Sequence, residues 1–227
     1  GTSYNRTTAP CSRPRESCWV RVVRAAESAM GFSAIEGMKG RPKNVHVKIG
    51  AMPHPPPPPR TPWGAFPDVL IHASESAVKQ HPAYWAAKTG SGAAALALVN
   101  DTMSDQANQR LLNLMQGHVP TLVSAHAYER EGVNAIPEIF ADELSKALSW
   151  PVDNGVLQIN AVGHTGADGF SRLARQARFA GAVQPGGEYV LVDDFIGMGG
   201  TLANLKGHIE SNGGRVLAAV VLTGKPH

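Results

Sequence analysis

Hydrophobic and polar positions follow no sustained period before residue 74, and from there onward they do. Positions 83–88 and 92–99 carry helical spacing. Positions 103–116 predict an amphipathic helix with Met103, Ala107, Leu111, Leu114 and Met115 on one side. Positions 118–125, holding Val119, Leu122 and Val123, predict a strand. After a polar loop at 126–135, positions 136–148 predict a strong helix. Its stripe is Ile136, Ile139, Phe140, Leu144, Ala147 and Leu148, and Pro137 sits in the first turn, where a missing N–H is tolerated. Trp150 and Pro151 end it. Positions 156–162, 189–192 and 216–222 read as three further strands. Between them lie a long glycine- and arginine-bearing stretch at 163–187, with a short helix over 170–179, and a helix over 202–211 stopped by Gly213 and Gly214.

Strands alternate with helices, and the strands are near-continuous apolar runs. That combination predicts an α/β fold of Rossmann-like type, a parallel sheet covered by helices on both faces. Right-handed crossovers then bring the C-terminal ends of all strands to one edge, where a ligand is expected.

Composition changes the picture mainly at the N-terminus. Residues 1–67 hold the proline run Pro55–Pro59, scattered arginines and no period, which predicts a disordered or non-native proline-rich basic tail, with an SH3-type ligand or a basic arm as the functional version. The organisation expected is therefore this tail, a helical lead-in or hood over 68–117 and a core over 118–227. Residues 1–60 contain ten Lys/Arg against three Asp/Glu, a balance of +7, whereas the remainder holds eleven against fifteen, or −4. The pI near 9.0 thus belongs to the tail, and nucleic acid is not the expected partner of the folded body. Both cysteines, Cys11 and Cys18, lie in the tail with neither zinc nor disulfide-framework spacing. The longest apolar run is seven residues, so no membrane span is expected, and the chain reads as cytoplasmic.

The stretch Val190-Leu191-Val192-Asp193-Asp194-Phe195-Ile196-Gly197-Met198-Gly199-Gly200-Thr201-Leu202 is where chemistry enters. An apolar strand runs into two adjacent acids, and a glycine turn then opens a helix. The glycines free the backbone to approach a ligand. Successive N–H groups and the helix N-terminus favour an anion, by roughly 0.3–1 kcal/mol from the dipole alone. The acids call for hydroxyl donors or a cation, and a phosphorylated sugar satisfies both halves. Neither the Walker loop nor the dinucleotide fingerprint is present. An ordinary strand–turn–helix with surface acids is the plainer alternative.

This stretch resembles the signature of the type I phosphoribosyltransferases: apolar strand, two acids, a short spacer, then a Thr-Gly-x-Thr-like loop. Two further segments are similar to parts of that family. Glu129-Arg130-Glu131-Gly132-Val133-Asn134 resembles its pyrophosphate loop, in the form found in ComF-type members. The stretch 163–182, with Arg172, Arg175, Gln176 and Arg178, stands where the family keeps a mobile catalytic loop. The resemblance covers roughly residues 115–224. It implies that Asp193 and Asp194 meet the ribose hydroxyls of phosphoribosyl pyrophosphate, directly or through Mg²⁺, and that Gly197, Met198, Gly199, Gly200 and Thr201 hold the 5-phosphate. It further implies that Arg130, Glu131, Gly132 and Val133 line the pyrophosphate loop, and that Arg172, Arg175 and Arg178, spaced i, i+3, i+6, reach phosphate when the loop closes. The implied reaction ribosylates a nitrogenous base. The implied partners are phosphoribosyl pyrophosphate and a nucleobase-like acceptor, with a homodimer compatible.

Three departures bear on this. Met198 stands where the family has Thr or Ser, and one lost hydrogen bond weakens binding by about 0.5–1.5 kcal/mol. Gly197 replaces the acid used by members acting on 6-oxopurines, and Glu131 replaces an arginine. Met198 and Glu131 together motivate a second reading, a non-catalytic phosphoribosyl pyrophosphate- or nucleotide-binding regulatory or DNA-uptake-associated module. Family members usually continue past the fourth strand with another that completes the sheet, so the base-selecting hood is expected from residues 68–117 or is missing. His126 and His164 each follow a strand on the expected edge and read as loop histidines; Glu138, Asp142 and Glu143 read as a solvated helix face.

Overall fold

The computed structural model describes residues 56–127, 133–160 and 176–225. Contacts divide the chain into two units, Gly1–Pro53 and His54–His227, and the first lies outside the described residues. The second contains β1 (Leu70–Ala73), α1 (Glu75–Lys79), α2 (Tyr84–Lys88), α3 (Gly92–Thr102), α4 (Asp105–Met115), β2 (Thr121–Ser124), α5 (Ile136–Leu148), β3 (Val152–Asp153), β4 (Leu157–Gln158), β5 (Phe179–Ala180), β6 (Glu188–Ile196), α6 (Gly200–Ser211) and β7 (Arg215–Gly224). Serine side chains cap three of the helices: Ser74, Ser91 and Ser104 accept from the amides of Ala77, Ala94 and Ala107.

Five strands form one parallel sheet in the order β1-β7-β6-β2-β3, as the apolar runs required. The pleat divides its side chains between two cores. Leu122, Val190, Val192, Ala218, Val220 and Leu222 pack with α3, α4 and α5 on one face. Val123, Leu191, Ala219 and Val221 pack with Leu202, Leu205 and Ile209 of α6 on the other. The expected α/β sheet with helices on both faces is therefore present. The chain passes from β2 to β3 on one side and returns to β6 on the other. The crevice between the C-terminal ends of β2 and β6 is thus the point where strand order reverses, the place such sheets keep for ligands.

The structure corrects four expectations. The stretch 156–162 is not a strand of the parallel sheet. Only Leu157–Gln158 is extended within its described part, and it pairs antiparallel with Phe179–Ala180. The place beside β2 belongs to β3, just after the Pro151 carbonyl accepts from the Leu122 amide. The helix expected over 170–179 does not reach its C-terminal end, because Phe179 lies in β5; positions 170–175 fall outside the described residues. Position 70 opens a strand rather than a helical lead-in. β1 fills the sheet edge beyond β7, the edge expected to await a following strand.

The tail boundary also moves back from residue 67. Residues 56–66 lie along α6. Lys206, buried, donates to Thr61 Oγ1 at 3.0 Å and to the Pro62 carbonyl at 2.9 Å, and its ammonium stands over the rings of Trp63 and Phe66. The approach is so close that a Cβ on Gly207 would come within 2.0 Å of the Pro59 carbonyl oxygen, so position 207 admits only glycine. Among the described residues no helix is long and apolar enough to cross a membrane.

Candidate active site

Asp193 and Asp194 sit at the reversal point as expected, but on the strand rather than past it. β6 runs on to Ile196, paired with β7 through Asp193↔Val221 and Phe195↔Thr223. On the other side its pairing with β2 ends at Ser124↔Val192. The acids therefore protrude beyond β2 while β7 still braces them. Both are buried, 7 % and 8 % exposed, which is rare for carboxylates unless they are partnered.

The pleat sends neighbouring residues to opposite faces. Asp194 follows Val192 to the α2–α5 face, where its Oδ2 accepts from Lys88 Nζ of α2 at 2.5 Å. Asp193 Oδ1 accepts from the Asp194 amide at 2.8 Å, and its carboxyl stays beside that of Asp194. Burial, and then the charge of Asp194, push the Asp193 carboxyl well above the usual carboxylate range. For Lys88, burial pulls the ammonium down, but the charge and hydrogen bond of Asp194 outweigh it and the net displacement is upward.

Where Mg²⁺ shared by Asp193 and Asp194 was expected, an ammonium already engages Asp194, and the two carboxyls lie close enough to interact with each other. Among the described residues no group of three His, Cys, Asp or Glu could hold a metal ion.

The anion half follows directly. Gly197 and Met198 turn the chain, Gly199 adopts φ +70° as the helix cap with no capping side chain, and Gly200 and Thr201 form the first turn of α6. The first-turn amides of a helix lack intrahelical partners. Met198 is 91 % exposed, so its side chain packs against nothing in the fold. One cation here escaped the sequence analysis. Arg60 donates through Nε to Oδ1 of the buried Asn204 at 2.7 Å, and its Nη2 lies 3.9 Å from where a Cβ on Gly200 would stand. A guanidinium thus flanks the first turn of α6, and the segment lying along that helix supplies it.

His126 lies in the loop just past β2, as expected, but is buried there, with Nδ1 2.7 Å from Ser124 Oγ. Val133 is described, just ahead of α5, whereas Arg130, Glu131 and Gly132 lie outside the described residues, as do Arg172, Arg175 and His164. Arg178 is not on a helix face. It lies just before β5, with its guanidinium donating to the Pro56 carbonyl, whereas Arg172 and Arg175 fall outside the described residues. Asn160 ties together the two ends of the stretch between them, donating to the Gln176 carbonyl at 2.9 Å and accepting from the Arg178 amide at 2.7 Å.

A second buried titratable group responds to pH with the opposite sign to Asp193. His72 of β1 accepts at Nδ1 from the Ser104 amide, and burial pushes it down to about 4. The unfolded chain takes up its proton first, near 6.5. The stability this neutral ring contributes is whole above that pH and is lost as pH falls toward 4, by roughly 3 kcal/mol at most. Asp193, raised in the fold, loses stability instead as pH rises through its range. Comparison with His72→Asn, which keeps an acceptor, isolates the histidine: between pH 7 and 4.5 the melting temperature of the variant should fall less than that of the wild type.

No protein-family model matches the chain. It is 42 % identical over 164 residues to Protein TraN of Escherichia coli, a match covering 72 % of this chain and 37 % of that protein. It is 38 % identical over 151 residues to an uncharacterized protein of Haemophilus influenzae, covering 66 % and 34 %. The chain thus spans about a third of the length of the curated relatives it matches. Among solved structures it is similar to the adenine phosphoribosyltransferase of Thermoanaerobacter pseudethanolicus, at 16 % identity and TM-score 0.33 over 53 % of this chain and 81 % of that one. It is also similar to the adenine phosphoribosyltransferase of Leishmania donovani, at 12 % identity and TM-score 0.35 over 66 % and 68 %.

Proposed function

We propose that the edge of the sheet at β6 binds a phosphorylated ribose, and that the chain is a phosphoribosyltransferase acting on phosphoribosyl pyrophosphate and a nitrogenous acceptor. One observation carries the reading. At the reversal point of a parallel sheet, two buried carboxylates are followed within six residues by an uncapped glycine turn and a helix N-terminus. The 5-phosphate is assigned to the amides of Gly199, Gly200 and Thr201, with Arg60 alongside, and the ribose hydroxyls to Asp193 and Asp194.

In the proposed reaction the acceptor nitrogen bonds to C1 of the ribose as the C1–O bond to the diphosphate breaks. Pyrophosphate leaves with the bonding pair, and the nitrogen releases its proton. The sugar passes through an oxocarbenium-like state, so positioning and electrostatics carry the work, with no protein nucleophile required. Trp85 lies one helical turn before Lys88 on α2 and is 70 % exposed, and its indole is the aromatic face we assign to a planar acceptor. Mg²⁺ enters the reading only as an ion that a diphosphate would bring with it; none is asked of Asp193 or Asp194.

Incubation with phosphoribosyl pyrophosphate, Mg²⁺ and a panel of bases should release pyrophosphate with at least one base. Calorimetric binding of the sugar diphosphate with no turnover across the panel would point instead to a sensor that keeps the pocket. A folded protein that neither binds nor turns over refutes both.

A further inference from the structure

The charge of Asp194 is answered from within the chain. Lys88 is the last residue of α2, and its ammonium lies 2.5 Å from Asp194 Oδ2 across 106 residues of sequence. Its position is set by packing rather than by chance. Ala87 is fully buried, and its carbonyl accepts from the Ala135 amide at the start of α5. The lysine is thus held at the sheet edge from both sides. Its side chain remains 30 % exposed, and an ammonium carries three N–H donors, so engagement with Asp194 leaves donors for a bound hydroxyl or phosphate oxygen.

We propose that Lys88 is the resident cation of this site: its ammonium supplies the positive charge beside Asp194, and a phosphorylated pentose binds here without added metal. The inference rests on the sugar-phosphate reading above and adds the source of the positive charge. Lys88 acts as a positioning residue. It holds Asp194 through Oδ2 and so fixes the carboxylate that accepts from a ribose hydroxyl.

The test is calorimetric titration of the whole chain with ribose 5-phosphate, which lacks a diphosphate to carry its own ion, in Mg²⁺ and again in EDTA. The wild type should bind with the same Kd in both. Lys88→Met should weaken binding about 10- to 100-fold in both, and Lys88→Arg should recover most of it. Lys88→Gln keeps a donor without the charge and should resemble Lys88→Met; melting curves of the three variants establish that each is folded. Wild-type binding that requires Mg²⁺ overturns the inference and leaves the sugar-phosphate reading standing. So does a Lys88→Met or Lys88→Gln protein that binds as tightly as wild type. Absence of wild-type binding in both buffers overturns the sugar-phosphate reading, and the inference with it.

Discussion

Asp194→Asn should lose ribose 5-phosphate binding by more than 100-fold while the protein stays folded. The carboxylate serves two partners at once, the Lys88 ammonium and the hydroxyls assigned to it. The amide replaces one acceptor oxygen by a donor and removes the charge. Lys88 then faces a neutral group in a partly buried setting. Hydrogen bonds to charged groups contribute about 1.5–3 kcal/mol, so a stability loss in that range accompanies the binding loss. The sign with pH follows from the raised Lys88 ammonium: the stability it contributes is whole below pH 10.5 and is lost as pH climbs past that value. At neutral pH the variant shows the full difference, and the two proteins converge as the pH climbs through the raised range of the ammonium. Urea titrations from neutral into strongly alkaline solution, beside calorimetry, measure both effects. Unchanged binding by a folded Asp194→Asn protein would remove this carboxylate from the site.

The second large effect lies in the core. Phe140 of α5 is fully buried against the sheet, and its ring meets that of His72 edge to face with centroids 4.9 Å apart. Phe140→Ala removes that contact and leaves a void between α5 and β1. The expected cost is about 3–5 kcal/mol, a large part of the stability of an ordinary domain. The urea midpoint should fall accordingly with little change in slope, and Phe140→Leu should recover most of the difference. Because the loop beyond β2 ends at the start of α5, ribose 5-phosphate affinity in the surviving folded fraction reports whether the core and the site are coupled. A loss below about 1 kcal/mol would mean that the face collapses around the gap.

These two residues also show what the sequence made legible. Phe140 belongs to a stripe whose helical period is visible without any structure, and α2, α3, α4 and α5 were readable for the same reason. Asp194 was readable because a strand of apolar residues ending in two acids before a glycine turn has few ordinary uses. Three features were hidden, each for a physical reason. β1 and β3 are four and two residues long, too short for alternation to emerge, and β1 contains a histidine whose burial only its neighbours can explain. The Lys88 and Arg60 contacts join residues 106 and 144 apart, and no local pattern encodes such a meeting. The proline-rich composition around residue 58 hid a segment that packs by backbone fit to Gly207, where side-chain hydropathy carries no signal. His126 lies in the loop after β2 as its polarity suggests, but its burial against Ser124 has no local signature.

The edge of the sheet formed by β1 has a bearing on how the molecule is made. Leu70 pairs with Val220, so the strand that leaves the ribosome first among the five is tied to the one that leaves last. Contacts this distant in sequence are slow to form, because a long loop must close before they repay it. Until β7 emerges, Leu70–Ala73 and the helices after it lack the surface they finally cover. The helical face must therefore wait, partly assembled and exposed, for a closing strand that takes seconds to be synthesised against about a microsecond for local helix formation, an interval in which a chaperone or a neighbouring nascent chain has its best opportunity to bind.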